Sequence, residues 1–435
     1  MGAYPLAGVR IIEAGQAWAL PFATGMLAAL GAEVIKVESA ARPDARADGG
    51  GAFNEINRNK RGVSLDLRTR HGVEVYRQLV AISDIVAENF SPRVMGNLGL
   101  DYPNLRHVRP DLIMLSSTAF GGSGPWMHYT GYGPNLEGAV GLTHVTGYPD
   151  GPPLRSGIAF SDIVAAVNGA FAMITALDYR QRTGKGQWID LSQYEVGIAH
   201  LGEAMMEYFM NGTSPGRIGN RHPWMAPHGV YPCRGDDAWI AIAVATQAQW
   251  EALVREMGSP AWAAAPEYAT TFTRLKNHDS LDAHLSAWTR HFDKRELMER
   301  LQRAGVPAGA VLNAKEVMLD PHVRARRMFE AVDHPAPVGR RPHLSSPWLL
   351  NGERSVRGRL APSLGRDTEE VLHELLGLAM DRIEALWEEG VISNEPLGER
   401  PSANPATGGL PAETLLKIGR IAGYDPDPLK LLGFR

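Results

Sequence analysis

The sequence predicts an α/β fold, with a parallel β-sheet covered by helices and joined to a smaller α+β unit. Three observations carry this. Short β-branched runs alternate with helical segments over the first 120 residues, the pattern of parallel strands linked by crossover helices. Periodicity then vanishes in the Pro- and Gly-dense stretch NGTSPGRIGNRHPWMAPHGVYP (211–232), which reads as a linker. The 435 residues are 44% apolar and 21% charged, ordinary globular composition with material for more than one core.

Val9–Ile12 (VRII) is the first strand. PFATGMLAAL (21–30) is helical, with Pro at its start and Gly31 beyond its end, as the two helix termini prefer. EVIKV (33–37) is the next strand, so these segments form a βαβ unit. Val63–Leu67, Ile85–Glu88 and Leu112–Ser116 read as further strands. A helix runs from Asp162 to about Thr183, with Ile163, Val167, Ala170, Ile174 and Leu177 on one face. Trp188–Leu191 is a strand, and Tyr194–Met210 is helical, its Met205, Met206 and Met210 suiting a core. The large domain thus covers 1–210 and is followed by the linker at 211–232. A small α+β domain at 233–330 holds a strand at 238–245, helices near 247–257 and 279–304, and a strand near 309–312. HPAPVGRRPHLSSP lies in a second linker, 331–347; helices near 368–376 and 380–389 come next, in 348–393, and 394–435 is a C-terminal extension.

Charge and motif content exclude several classes. The formal net charge is −4 and the basic residues are dispersed, so no stripe points to nucleic acid or an anionic membrane. The apolar run AWIAIAVA (238–245) is far shorter than a membrane span, and MGAYPLAGVRIIEAG is broken by Arg10 and Glu13, unlike a secretory signal. A soluble, cytoplasmic protein is expected. The single cysteine, Cys233, allows no internal disulfide and reads as a packed thiol. The histidines are scattered without metal-ligand spacing, so no metal site is expected. EAGQAWALP (13–21) is not the dinucleotide fingerprint, GSGPW is not a hydrolase elbow, and no P-loop is present.

Ligands of open parallel sheets bind outside the carboxyl ends of the strands. Gln16, Ala17 and Trp18, after the first strand, are therefore a candidate site wall. In ENFSP (88–92), Asn89 and Phe90 occupy the matching position after another strand, as a site amide and aromatic wall or as a plain strand-end turn. RNKRG (58–62) clusters Arg58, Lys60 and Arg61, which suits a phosphate-rich ligand or a solvated turn. Asp162 is a single carboxylate heading an uncharged, small-residue run. An acid there either caps the helix, worth about 0.3–2 kcal/mol, or attacks an acyl carbon as a nucleophile. Its small neighbours Gly157, Ala159, Ala165, Ala166 and Gly169 leave room for an acyl group, or for close helix packing.

Taken in order, PLAGVRIIEAG, LGAEVIKVE, NRNKRGVSLDL, DIVAENFSPRVMGNLGLDY, PDLIMLSSTAFGGSGP, the 151–177 stretch and TGKGQWIDLSQYE resemble the family III CoA-transferases. APHGVYPC, LQRAGVPAGAV and APSLGRDTEEVL continue the likeness to about Leu376. That group includes formyl-CoA:oxalate, carnitine and bile-acid CoA-transferases and α-methylacyl-CoA racemase. The resemblance implies a Rossmann-like large domain completed by a returning C-terminal part, a small domain between, and two ring-shaped subunits interlocked as a homodimer, with paired-subunit hetero-oligomers also known in the group. It implies no permanently bound cofactor, with coenzyme A or acyl-CoA and a carboxylic acid as substrates. It implies that Asp162 is the nucleophile, passing through aspartyl anhydrides and an aspartyl-CoA thioester. Each step builds an oxyanion, for which helix-end N–H groups near Asp162 and the backbone around Gly15–Ala17 are the candidate donors. Racemases carry a His in the segment matching GYGPN (131–135); Tyr132 stands here, which favours transfer over the alternatives of racemase or isomerase chemistry and of a non-catalytic CoA-ester-binding subunit. The Arg that some relatives place directly after EVIKVE is missing, leaving Arg42 or Arg46 for CoA, and ATQAQ (245–249) lacks the poly-Gly run of formyl-CoA transferase.

Overall fold

The computed structural model describes residues 4–44, 51–335, 339–354, 358–397, 412–419, 421–425 and 427–433. Arg46 and most of the expected C-terminal extension's first half, 398–411, lie outside the described residues. The chain separates into two compact units, one of Met1–Leu142, Ser156–Met205 and Pro321–Arg435, the other of Thr143–Arg155 and Met206–Asp320. The smaller unit thus begins well before residue 233, ends before 330 and takes in an earlier segment that composition did not single out.

In the larger unit six strands form one parallel sheet: β1 (Arg10–Ala14), β2 (Glu33–Glu38), β3 (Lys60–Ser64), β4 (Ile85–Glu88), β5 (Ile113–Thr118) and β6 (Trp188–Ser192). Their order is β3-β2-β1-β4-β5-β6, the doubly wound Rossmann-like arrangement, with its reversal between β1 and β4. Among the helices that flank the sheet or its strand ends are α1 (Ala19–Ala29), α2 (Arg70–Ala81), α3 (Gly133–Ala139) and α4 (Phe160–Thr183). Strand side chains alternate between the faces. Ile11, Val34, Ile85 and Ile113 pack with α1 and α4, while Ile12, Ile35, Val86 and Met114 pack with α2 and with Ile383 and Leu386 near the C-terminal end. The open edge of β3 is covered by that returning part: Gly62 N–H donates to Asp367 (2.7 Å), Ser64 N–H to the Thr368 hydroxyl (3.1 Å) and Asp66 N–H to the Val391 carbonyl (2.8 Å).

Three elements differ from expectation for identifiable reasons. β3 starts at Lys60 rather than Val63, because Lys60 and Arg61 are buried against carboxylates of β1 and β2, Glu13 at 2.7 Å and Glu33 at 2.9 Å. The buried face of α4 is the small one, with Ala165, Ala166, Gly169, Ala170 and Ala176, not the bulky one. The helix lies so close to its neighbours that a Cβ at Gly169 would come 3.3 Å from Leu115 and 3.8 Å from Ala23. Val167, Phe171 and Ile174 are left exposed, as are Met205, Met206 and Met210 of the helix Gly202–Asn211, which a break separates from Gln193–Ala199. At 24 residues α4 is long and apolar enough to cross a membrane, which the short apolar runs did not lead one to expect; its small-residue face is packed on α1 and the sheet.

The smaller unit holds an antiparallel sheet of β7 (His228–Pro232), β8 (Trp239–Ala243) and β9 (Ala308–Ala310), packed against helices Gln247–Glu256, His278–Thr289 and Lys294–Arg303 around Tyr231, Ile240, Trp250 and Leu301. Cys233 is buried in this core. β7 falls inside the stretch expected to be a linker. The second expected linker likewise takes in most of an antiparallel strand pair of the larger unit, β10 (Phe329–Asp333) with β11 (Arg340–Leu344). Pro342 sits opposite Ala331 in it; a two-stranded ribbon tolerates the lost N–H that a central strand would not.

Candidate active site

A cleft of about 600 Å³ runs along the carboxyl ends of the parallel strands. Its walls are Gly15–Trp18 after β1, Ser39 and Arg42 after β2, Leu65–Arg68 after β3, Asn89–Pro92 after β4, Ala119 and Phe120 after β5, and Gln193 after β6. The strand order therefore puts the cations Arg42 and Arg68 toward one end and Gln193 toward the other. From β2 to β5 is three strand spacings, roughly 14 Å. Asp162 and Tyr132 also line the cleft.

The β1 and β4 loops are stapled across the reversal of strand order. The Asn89 amide accepts from Gln16 N–H (3.0 Å) and donates to the Gln16 carbonyl (2.9 Å). Gln16 Nε2 reaches on to the Arg42 carbonyl (2.8 Å), and Ala17 N–H donates to Asp44 (3.2 Å). Phe90 N–H donates to the Glu88 carboxylate at 2.8 Å. The backbone N–H groups of Gln16 and Ala17, expected to face an oxyanion, are thus engaged by side chains in this structure.

Asp162 proves not to be the helix cap. The first amide of α4, Phe160 N–H, donates to Glu137 of α3 (3.3 Å), and the buried Glu137 also accepts from the Ser156 N–H and hydroxyl (3.1 Å each). Glu137 therefore supplies the cap, and the Ala159–Asp162 turn carries no side-chain cap of its own. Asp162, half-buried in the first turn, is left to face the cleft. Room for it comes from Gly133, where a Cβ would lie 2.2 Å from the carboxylate. Burial, and secondarily the nearby Glu137, raise its carboxyl to about 6. The positive helix end favours the charged form by only about 0.3–1 kcal/mol, and burial wins.

Gln16, Ala17, Trp18, Asn89, Phe90, Tyr132 and Asp162 are brought together on this cleft, with Tyr132 exposed at 72%. Arg58, Lys60 and Arg61 are not, which corrects the expected phosphate cradle. Arg58 pairs with Glu330 (2.7 Å), Lys60 with Glu13, and Arg61 with Glu33 and Glu370 (2.7 Å to the latter), all three buried. The cleft's own cations are Arg42 and Arg68. Arg68 was missed, although it directly follows the expected third strand; it is exposed and pairs with Asp66 at 2.7 Å. Also missed was an aromatic group, with Phe120 and Tyr129 on the wall and Trp126 stacked on Tyr129 at 6.0 Å between ring centres. Among the described residues no group of three or more His, Cys, Asp or Glu side chains could hold a metal ion.

Residues 6–368 match the model of CoA-transferase family III. The chain belongs to that family. It is 35% identical over 396 residues to the succinyl-CoA–D-citramalate CoA-transferase of Chloroflexus aurantiacus, covering 89% of this chain and 98% of the relative. It is likewise 35% identical over 389 residues to the succinate–glutarate CoA-transferase of Agrobacterium fabrum, with 85% and 96% covered. The crystal structure of a CAIB/BAIF family protein from Brucella suis superposes with a TM-score of 0.77 at 34% identity, covering 86% of this chain and all of that one. The protein is a CoA-transferase of family III.

Proposed function

We propose that this CoA-transferase moves CoA from succinyl-CoA to a second carboxylic acid, with Asp162 as the nucleophile. The observation that carries the reading is Asp162 itself, a cleft-lining carboxylate relieved of capping by Glu137 and given space by Gly133. Succinyl-CoA as donor is taken from the name of the Chloroflexus aurantiacus relative.

The Asp162 carboxylate attacks the thioester carbonyl, the C–S bond breaks, and a mixed anhydride and CoA thiolate form. The thiolate attacks the aspartyl carbonyl, releasing succinate and leaving an aspartyl-CoA thioester. The acceptor carboxylate attacks that thioester, again freeing the thiolate. The thiolate then attacks the acceptor's acyl carbon and regenerates Asp162. Each anhydride keeps the acyl group activated, so one hard transfer becomes several easier ones. Arg42 and Arg68, at the far end of the cleft, suit the nucleotide phosphates, with pantetheine spanning the strand ends between. The active form on this reading is an interlocked homodimer in the cytoplasm.

Incubation with succinyl-CoA followed by hydroxylamine and peptide mass spectrometry tests it. A hydroxamate on Asp162 is expected, and Asp162→Ala should lose turnover by at least about 10³-fold. Transfer that persists in Asp162→Ala would overturn the assignment.

A further inference from the structure

Beneath the β1 loop lies a buried chain of charges. Glu13 on β1 takes Lys36 of β2 on one oxygen (2.9 Å) and Lys60 of β3 on the other (2.7 Å), and accepts from the Thr24 hydroxyl of α1. Lys36 Nζ also donates to the Gly15 carbonyl (2.6 Å) and lies 3.3 Å from Asp44, whose other oxygen accepts the Ala17 N–H. Asp44 is itself held by its own N–H on Glu38 at 3.2 Å. Glu13, Lys36, Lys60 and Asp44 are all buried.

What this chain of charges grips is strained. Ala17 has φ +65°, the left-handed region that residues with a Cβ avoid. A strained residue persists only where its surroundings over-determine it, and such residues gather at working sites. Ala17 lies on the cleft wall with Gln16 and Trp18, in the same cleft as Asp162. A buried ion cluster is a poor stabiliser compared with apolar packing of the same volume. Its geometric effect is specific: one ammonium fixes the Gly15 carbonyl directly and the Ala17 amide through Asp44.

We propose that Lys36 and Asp44 are positioning residues for CoA transfer, a clamp that holds Gly15–Ala17 in its strained form so that the thioester is presented to Asp162. This rests on the reading of Asp162 as nucleophile. Neither residue is expected to touch the reacting atoms.

Asp44 is the position to test, because it lies in a loop and its loss leaves the Glu13–Lys36–Lys60 pairs in place. Asp44→Ala removes the acceptor for Ala17 N–H; Asp44→Asn keeps one. Two readouts are compared in the full-length protein: steady-state transfer from succinyl-CoA, and amide hydrogen exchange of the peptide spanning residues 15–18 without substrate. Asp44→Ala is expected to lower kcat about 100-fold with KM within about threefold, since a misplacement near 1 Å costs that much. Exchange of the peptide should quicken at least about tenfold. Asp44→Asn should recover at least tenfold of the lost kcat and most of the protection. The clamp is refuted if Asp44→Ala leaves exchange at 15–18 unchanged, if its kcat stays within twofold of wild type, or if Asn and Ala fall equally. A wild-type enzyme that forms no Asp162 hydroxamate would instead refute the nucleophile, and the exchange comparison still decides whether the clamp exists.

Discussion

Gly133 controls where the Asp162 carboxylate can sit. Its missing Cβ would fall 2.2 Å from an Asp162 oxygen, so Gly133→Ala must push that carboxylate aside. The displaced group is the end of a side chain, which can move, so stability should change by less than about 1 kcal/mol. Activity should suffer far more: a kcat loss of about 100-fold is expected from the shifted line of attack, and paired thermal melts and initial rates would separate the two. The same carboxyl sets an acid limit. It must be ionised to attack, and burial with the neighbouring Glu137 has raised it to about 6. The rate constant kcat/KM should therefore fall roughly tenfold per unit as pH drops below about 6 and be level above it. A profile flat down to pH 4.5 would place the ionising group elsewhere.

At the scale of the element, β4 ends in a buried acid that works against the fold at neutral pH. Burial lifts the Glu88 carboxyl to about 7, with Asp190 adding to it and hydrogen bonds from Ser116 and Phe90 N–H opposing. Its folded value lies above its unfolded one, so the folded protein holds the extra proton between about 4.5 and 7. Stability from this group is greatest below that window and is lost as pH rises through it, on the order of 3 kcal/mol. Glu88→Gln keeps an acceptor for Phe90 N–H and carries no charge. Urea midpoints at pH 5 and pH 7.5 should show the variant gaining on wild type at the higher pH only; equal gains at both would mean Glu88 does not titrate there.

The strands and helices themselves were legible, because β-branched runs, Pro at a helix start and Gly past its end are local signals. The place of Asp162 on the cleft was signalled by an isolated charge in a small-residue run, and that of Gln16 and Asn89 by their position just after strand ends. What Arg58–Arg61 do was not legible. Glu13, Glu33, Glu330 and Glu370 stand far away in sequence; the strand order brings the first two into range and the returning C-terminal part the other two, turning an apparent phosphate cluster into buried ion pairs. The working face of α4 was misread for a related reason. Helical spacing finds the bulky face, but the face packed on the sheet and α1 is made mostly of alanine and glycine, with Met173 the one large side chain among its buried residues. The strand pair at 329–344 was hidden by its prolines, which a two-stranded ribbon accommodates.

For the whole molecule, the bulky face of α4 is the surface that bears on the proposed homodimer. Phe171 is exposed at 70% and Val167 at 51%, with Ile174 beside them at helical spacing. Single exposed apolar residues are common, but a row of them on one helix is the kind of surface that marks an interaction site. The homodimer proposed for this family III member supplies a cover, and an obligate interface of that kind buries on the order of 2,000–5,000 Å² with an apolar centre. Phe171→Asp puts a charge into that centre if the α4 face lies there. Wild type should sediment as a dimer at micromolar concentration. The variant should shift toward monomer or lose soluble protein, because a desolvated, unpaired carboxylate costs several kcal/mol. Phe171→Leu, which keeps the apolar surface, should remain dimeric and separates loss of a contact from burial of a charge. If Phe171→Asp sediments as wild type does and transfers CoA at the same rate, the α4 face is not the dimer contact, and the exposed methionines of Gly202–Asn211 become the surface to probe next.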